Sequence, residues 1–184
     1  MKRLIACIVV LLLMASYLIS CEKDDLCADG TITTPSLVIE FYDRSNRAQT
    51  KSVDNLQYFA VGRADTLEPG TVSRIRLPLR TNDTTTKWGL IWNRVTTAGV
   101  RPNLDYLDFN YIVNQEYISR ACGYRATFTL NASTIAIPNP LITDDTSGTS
   151  TLWINDIEVM TTDIVDEFEN AEDDENDVHI KIYF

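Results

Sequence analysis

The sequence predicts an all-β protein, an antiparallel β sandwich of immunoglobulin-like or other Greek-key type. Three observations carry that prediction. Apolar and polar residues alternate with the period of two that half-buried strands impose, in one short segment after another. Polar clusters with Gly, Pro, Asn and Asp separate those segments about every 10 to 20 residues. No window sustains the 3.6-residue period of an amphipathic helix.

Ala28 to Pro35 is a polar entry segment, broken by Gly30 and Pro35. Leu37, Ile39 and Phe41 then alternate with Val38, Glu40 and Tyr42 in a half-buried strand that ends at Asp43. Arg44 to Asn55 is a polar loop. Leu56 to Val61 is a second strand, stopped by Gly62 and a turn around Glu68-Pro69-Gly70. Ile75, Leu77 and Leu79 line one face of a third, and Thr81-Asn82-Asp83-Thr84 turns the chain into a fourth with Trp88, Leu90 and Trp92 on one face. Leu107, Phe109, Tyr111 and Val113 mark the next strand, with Asn114-Gln115-Glu116 as its hairpin connection. From Ile118 to Leu130 the parity sets Cys122, Tyr124, Ala126, Phe128 and Leu130 toward the core. Ala132 to Thr149 is looser. Leu152 and Ile154, then Ile157 and Val159, predict a strand pair or one bent strand. Asp163 to Asp177 is an acidic connection with room for a helical turn, and Val178, Ile180, Ile182 and Phe184 form the closing strand.

The amino terminus reads as an address. Lys2 and Arg3 precede an apolar run from Leu4 to Ala15 of signal-peptide length. A membrane-spanning helix is the competing reading of Leu4 to Ser20, but 17 residues stand at the lower edge of what spans a bilayer. Leu18-Ile19-Ser20-Cys21 resembles the lipobox read by the bacterial lipoprotein-processing machinery. That resemblance implies cleavage after Ser20 and a lipid on the Cys21 thiol. Several acyl chains, at about 0.8 kcal/mol per buried methylene, hold where one chain binds only marginally. Glu22-Lys23-Asp24-Asp25 looks like the acidic tag that sends lipoproteins of the Bacteroidota to the outer face of the outer membrane; a solvated spacer is the plainer reading. The organisation expected is a signal peptide over residues 1–20, a lipidated tether over 21–35 and one sandwich domain over 36–184. The expected location is the outer membrane, lipid-anchored, facing either the cell surface or the periplasm.

Charge and cysteines narrow the function. The formal charge of −10 becomes −12 once Lys2 and Arg3 leave, which disfavours nucleic acid and direct docking on anionic lipid. Of four cysteines, Cys7 leaves with the signal and Cys21 takes the lipid. Cys27 and Cys122 remain, and an oxidising compartment predicts that they pair. Closing a loop of 95 positions stabilises by about 4 to 5 kcal/mol in the chain-entropy account. Only six steps then separate the lipid from the pinned Cys27, so the tether reaches at most about 20 Å. The other reading is two separately buried thiols.

Cys21-Glu22-Lys23-Asp24-Asp25-Leu26-Cys27, Ser36-Leu37-Val38-Ile39-Glu40-Phe41-Tyr42-Asp43, Tyr117-Ile118-Ser119-Arg120-Ala121-Cys122-Gly123-Tyr124 and His179-Ile180-Lys181-Ile182-Tyr183 together resemble a domain-of-unknown-function family of small Bacteroidota outer-membrane lipoproteins. The resemblance covers nearly the whole mature chain. It implies lipoprotein character and paired cysteines, and it offers no catalytic residue.

The residues themselves point to no enzyme. His179 is the only histidine, and its parity with Lys181 and Tyr183 predicts a solvent-facing ring rather than a general base. There is no Gly-x-Ser-x-Gly elbow, no Ser-x-x-Lys, no phosphate-cradling glycine loop and no His/Cys set for zinc. No catalytic residue, cofactor or metal is expected. Asp173, Glu175 and Asp177 alternate as at the start of a calcium loop, but Val178 stands where that loop needs glycine, so a solvated acidic loop is expected. Trp88 and Trp92 form a sugar-stacking platform if their face is exposed, although aromatic strand faces more often make core. Asp65-Thr66-Leu67 and Asp83-Thr84-Thr85 resemble sites of O-glycosylation in Bacteroidota envelope proteins, which nominates Thr66 and Thr84. Asn82 and Asn131 match the eukaryotic sequon, which a bacterial signal makes irrelevant. The aromatic ending Tyr183-Phe184 also suits an outer-membrane barrel, but lipidation and short strands with core-like faces argue against one. The function expected is a non-catalytic binding or assembly module, working with an outer-membrane β-barrel or another envelope protein. The alternative is a surface carbohydrate-binding or carbohydrate-active protein.

Overall fold

The computed structural model of the chain describes residues 3, 27, 34–96, 99–145, 151–165 and 178–184. The expected signal segment 1–20, apart from Arg3, together with Cys21, the Glu22-Lys23-Asp24-Asp25 run and Asp173, Glu175 and Asp177, lies outside the described residues, as does most of the acidic connection. Every element among the described residues is a strand.

In chain order these are β1 (Ser36–Tyr42), β2 (Val53–Ala60), β3 (Thr66–Val72), β4 (Arg74–Pro78), β5 (Thr85–Thr96), β6 (Gly99–Ser119), β7 (Gly123–Leu130), β8 (Leu141–Asp144), β9 (Asp156–Val159), β10 (Asp163–Ile164) and β11 (Ile180–Tyr183). They build two sheets packed face to face, as the alternating pattern predicts. One has the order β4-β1-β11-β9; the other runs β10-β7-β6-β5-β2-β3, with β8 also paired to β6. The smaller sheet is mixed, because β11 lies parallel to β1, with Ile39 opposite Ile180 and Phe41 opposite Ile182. Its other pairs are antiparallel.

The core is built on the inward parities that the sequence marks, except at the start of β7, where the parity that buries Ala126, Phe128 and Leu130 leaves Tyr124, expected toward the core, 66% exposed. Leu37, Ile39 and Phe41 meet Leu56, Leu90, Leu107, Phe109 and Phe128 from the facing sheet, and the last strand adds Ile180 and Ile182. Each such side chain contributes about 1.5 to 3 kcal/mol on burial. At one place the packing is aromatic: Phe184 stands edge-on to Phe41, Trp92 and Trp153 at 5.2–6.2 Å between ring centroids.

Several expectations are corrected. Glu68-Pro69-Gly70 is not a turn but the middle of β3. β3 is an edge strand, where proline removes no ladder bond, and register shifts at Leu56 and Tyr58 of β2 absorb Gly70 at φ +81°. Asn114-Gln115-Glu116 is likewise inside a strand, since β6 runs 21 residues to Ser119. Its polar residues are cross-strand partners: Asn114 Nδ2 donates to Thr129 Oγ1 (3.3 Å), and Arg125 pairs with Glu116 at 2.6 Å. Leu152 and Ile154 form no strand. Residues 151–155 are irregular, yet Trp153 and Ile154 are buried. Asp163 opens β10 rather than a helical turn.

The chain divides into two compact units. The sandwich belongs to Ile32–Glu116 with Arg125–Phe184. The other unit includes Cys27 and Tyr117–Tyr124, and a disulfide joins Cys27 to Cys122 with 4.8 Å between their Cα atoms. Cys122 is in the turn that precedes β7 and is half-buried, outside the hydrophobic core that its parity predicted. Gly123 at φ +72° breaks the alternation there, so parity counted back from Ala126 fails at the turn.

Candidate functional site

The end of β2 and the start of β5 pair directly, Ala60 opposite Trp88 and Phe59 opposite Gly89. The turn after β2 and the segment after β4 flank that pairing, and a groove of about 610 Å³ opens between them. Trp88 and Leu79 form its apolar side, with Leu67 and Pro78 at the rim; Arg63, Arg80, Asp65 and Asp83 bring charge of both signs. Its volume lies in the range of small-molecule sites.

The groove wall is stiffened by a closed polar network. The Arg80 amide donates to Thr86 Oγ1 (3.1 Å), and the Tyr111 hydroxyl donates to the Arg80 carbonyl (2.9 Å). With its proton so used, Tyr111 accepts from the Thr86 hydroxyl at 2.7 Å. Burial pushes the Tyr111 phenol up, against the opposing pull of its bonds to Thr86 and Arg80. The Arg80 guanidinium caps the turn by donating to the Val61 carbonyl (2.9 Å) and lies 3.6 Å from Asp83. Arg63 has no carboxylate partner among the described residues.

Trp88 is only 4% exposed, so its ring offers no stacking face. Its Nε1 is buried without a hydrogen-bond partner among the described residues. Trp92 is partly buried against Trp153 and Phe184, with the Arg94 guanidinium 4.6 Å from its ring centroid. It borders a smaller cavity of about 380 Å³ with Asp54, Asn55, Thr71 and Arg94.

Thr66 begins β3 and Thr84 directly precedes β5; both are exposed. Their neighbours Asp65, Leu67 and Asp83 line the groove, so the two candidate modification sites flank one surface feature.

His179 overturns its sequence expectation. Its ring is 6% exposed, and Nδ1 accepts the Val38 amide at 3.0 Å. Parity does put it on the outer face of its sheet, but there the imidazole lies across β1 as a backbone acceptor. Two tyrosines share that face and are paired with carboxylates, Tyr42 with Glu40 and Tyr183 with Glu158, both at 2.6 Å. Burial first and the Glu40 bond second push Tyr42 up to about 12.

Sequence reading missed one residue altogether. Asp105 on β6 is fully buried, on the same parity as Leu107 and Phe109. Its Oδ2 accepts the Ile154 amide (2.8 Å), while Oδ1 has no hydrogen-bond partner among the described residues. Burial, with Asp144 and Asp145 nearby, pushes it up to about 6, although the Ile154 and Trp153 amides pull the other way. The only sequence signal is an acidic residue on an apolar parity. No group of three or more His, Cys, Asp or Glu among the described residues is arranged for a metal ion, and among those residues there is no helix long and apolar enough to cross a membrane.

No curated protein and no solved structure matches the chain. A match over residues 55–184 takes in the groove, Asp105 and Cys122 but neither Cys27 nor Ser36–Tyr42, and by that match the chain belongs to the family of unknown function DUF6452.

Proposed function

We propose that this chain is a lipoprotein of the Bacteroidota outer membrane, lipidated at Cys21, whose sandwich is a non-catalytic binding or assembly module for an outer-membrane β-barrel or another envelope component. The observation that carries this reading is the Cys27–Cys122 disulfide. It suits an exported protein, because structural disulfides persist in oxidising compartments. It also leaves only six residue steps between the lipidated position and a pinned one, so the protein works within about 20 Å of its membrane.

The groove beside Arg63 and Arg80 is the binding surface of this module. A photocrosslinker placed at Leu67, on the exposed rim, tests it in intact cells. An adduct with one envelope protein, lost when Arg63→Glu is added, supports the reading; no adduct in processed, lipidated protein sinks it. Thr66 and Thr84, exposed beside the groove, are proposed as glycan carriers, and intact-mass measurement of the native protein decides that.

The second reading is carbohydrate recognition at Trp92, favoured by its cavity with Asp54 and Asn55. Arg94 already covers its ring, so a sugar must displace the guanidinium. Tryptophan emission quenched by envelope glycans, and unaffected by them after Trp92→Phe, supports this alternative.

A further inference from the structure

Tyr117 and Tyr124 are large aromatic side chains left in solvent, 53% and 66% exposed, in a chain that buries most of its rings. They stack edge to face across the β6–β7 hairpin, with centroids 5.3 Å apart. Their hairpin turn is well fixed, since the Cys122 amide donates to Ser119 Oγ (3.0 Å) and Gly123 takes the φ of +72° that the turn requires. The same turn holds the disulfide to Cys27. The two rings are therefore presented in a defined place rather than scattered on a mobile tip.

We propose that Tyr117 and Tyr124 form a ledge that rests in the interfacial layer of the membrane carrying the lipid anchor. This rests on the reading of Cys21 as lipidated. From Cys21 to Cys27 the chain spans at most about 20 Å. The disulfide adds 4.8 Å between Cα atoms, and Tyr124 is two residues beyond Cys122. The ledge is thus within reach of the headgroups, and it cannot move far from them while the disulfide is intact.

Chemistry matches the occupant. Tyrosine joins an apolar ring to a polar tip, which is why it gathers at membrane–water interfaces. Tyr117–Tyr124 contains no acidic residue and one guanidinium, Arg120, which is exposed and has no carboxylate partner among the described residues. In a chain of net charge −10, this is a local cationic spot that suits lipid phosphates. Glu22, Asp24 and Asp25 lie between anchor and disulfide in sequence, so the contact is made by rings and a single cation, not by a polybasic patch.

The test uses the full processed lipoprotein in phosphatidylethanolamine–phosphatidylglycerol vesicles that carry lipids brominated near the headgroup. Tyr124→Trp gives the chain a fourth indole, the first on the ledge. Its emission is expected to be quenched to about twice the extent of the wild-type chain, in keeping with interfacial depth. Hydrogen exchange supplies a second measurement without substitution in the ledge: the amides of 117–124 slow on vesicles relative to a soluble chain that begins at Glu22 and carries no lipid. A lipidated, vesicle-bound protein in which Tyr124→Trp is quenched no more than wild type and 117–124 exchange as in solution overturns the ledge and leaves the anchor reading intact. A mass spectrum with Cys21 unmodified overturns the anchor reading, and the ledge with it.

Discussion

β6 carries two buried polar groups on one face, Asp105 and Tyr111, and they are handled in opposite ways. Tyr111 closes a ring of hydrogen bonds with Thr86 and Arg80, in which every polar atom has a partner. Asp105 receives the Ile154 amide on one oxygen and leaves the other without a partner among the described residues, near Asp144 and Asp145. The first arrangement recovers the desolvation of its groups, whereas the second does not. A closed network of this kind suits a structural support for the groove wall. The open one is a latent instability, which holds residues 153–154 against β6 but carries a costly buried charge once pH rises through about 6.

The largest expected effect tests the open centre. Asp105 is pushed up to about 6 by burial, so between roughly pH 4 and 6 the folded chain keeps a proton that the unfolded chain has released. The stability it contributes is fully present below about pH 4 and is lost as pH rises through 6, on the order of 3 kcal/mol in all. Asp43 and Glu158 act with the other sign. Amides of Ser45 and Asn46 hold Asp43 below the usual carboxylate range, and the Tyr183 hydroxyl does the same for Glu158, so their contribution is present at neutral pH and lost as pH falls. Urea unfolding from pH 4 to 8 is expected to lose stability with rising pH in wild type, with a much flatter profile in Asp105→Asn and a more stable variant at pH 8. A variant less stable than wild type at pH 8 refutes the account of an uncompensated charge.

The closed centre predicts the opposite response to a similar deletion. Tyr111→Phe removes one hydroxyl and strands both the Thr86 hydroxyl and the Arg80 carbonyl, which costs about 2 kcal/mol at every pH. Thr86→Val strands the Arg80 amide and costs a similar amount; the double variant falls short of the sum, because the two residues share one network. Additive losses in chemical denaturation break the comparison.

How much of this was legible follows the same division between local and remote causes. Alternation at Leu37–Phe41, Leu107–Tyr111 and Ala126–Leu130 reports burial because a strand in a sandwich has one dry face, and those residues are the core. Alternation carries no information about partners. It put His179 on the right face but not beneath a cover, and it gave no hint that Asp105 meets the Ile154 amide 49 residues away. Turn chemistry misled where polar residues serve as cross-strand pairs, as at Glu116 with Arg125, or where proline occupies an edge, as at Pro69. Only the motifs around Thr66 and Thr84, not their modification, were readable locally. The groove beside them was not, because it exists only once β2 pairs with β5 and the segment after β4 folds alongside.

The smallest expected effect falls on the groove itself. Arg80 and Asp83 are each nearly half exposed, with 3.6 Å between guanidinium and carboxylate. Such a pair contributes under about 1 kcal/mol, since both charges remain well solvated. Arg80 is also held independently of Asp83 by the Val61 carbonyl. Asp83→Asn should therefore leave the urea midpoint nearly unchanged, in contrast to Tyr111→Phe directly behind it. It does remove one negative charge from a groove where Arg63 has no carboxylate partner among the described residues, so an anionic probe is expected to bind the variant more tightly, with a gain that fades in high salt. A large stability loss with no change in anion binding would mean that Asp83 holds the wall, and that the support attributed to Tyr111 and Thr86 is shared with the surface.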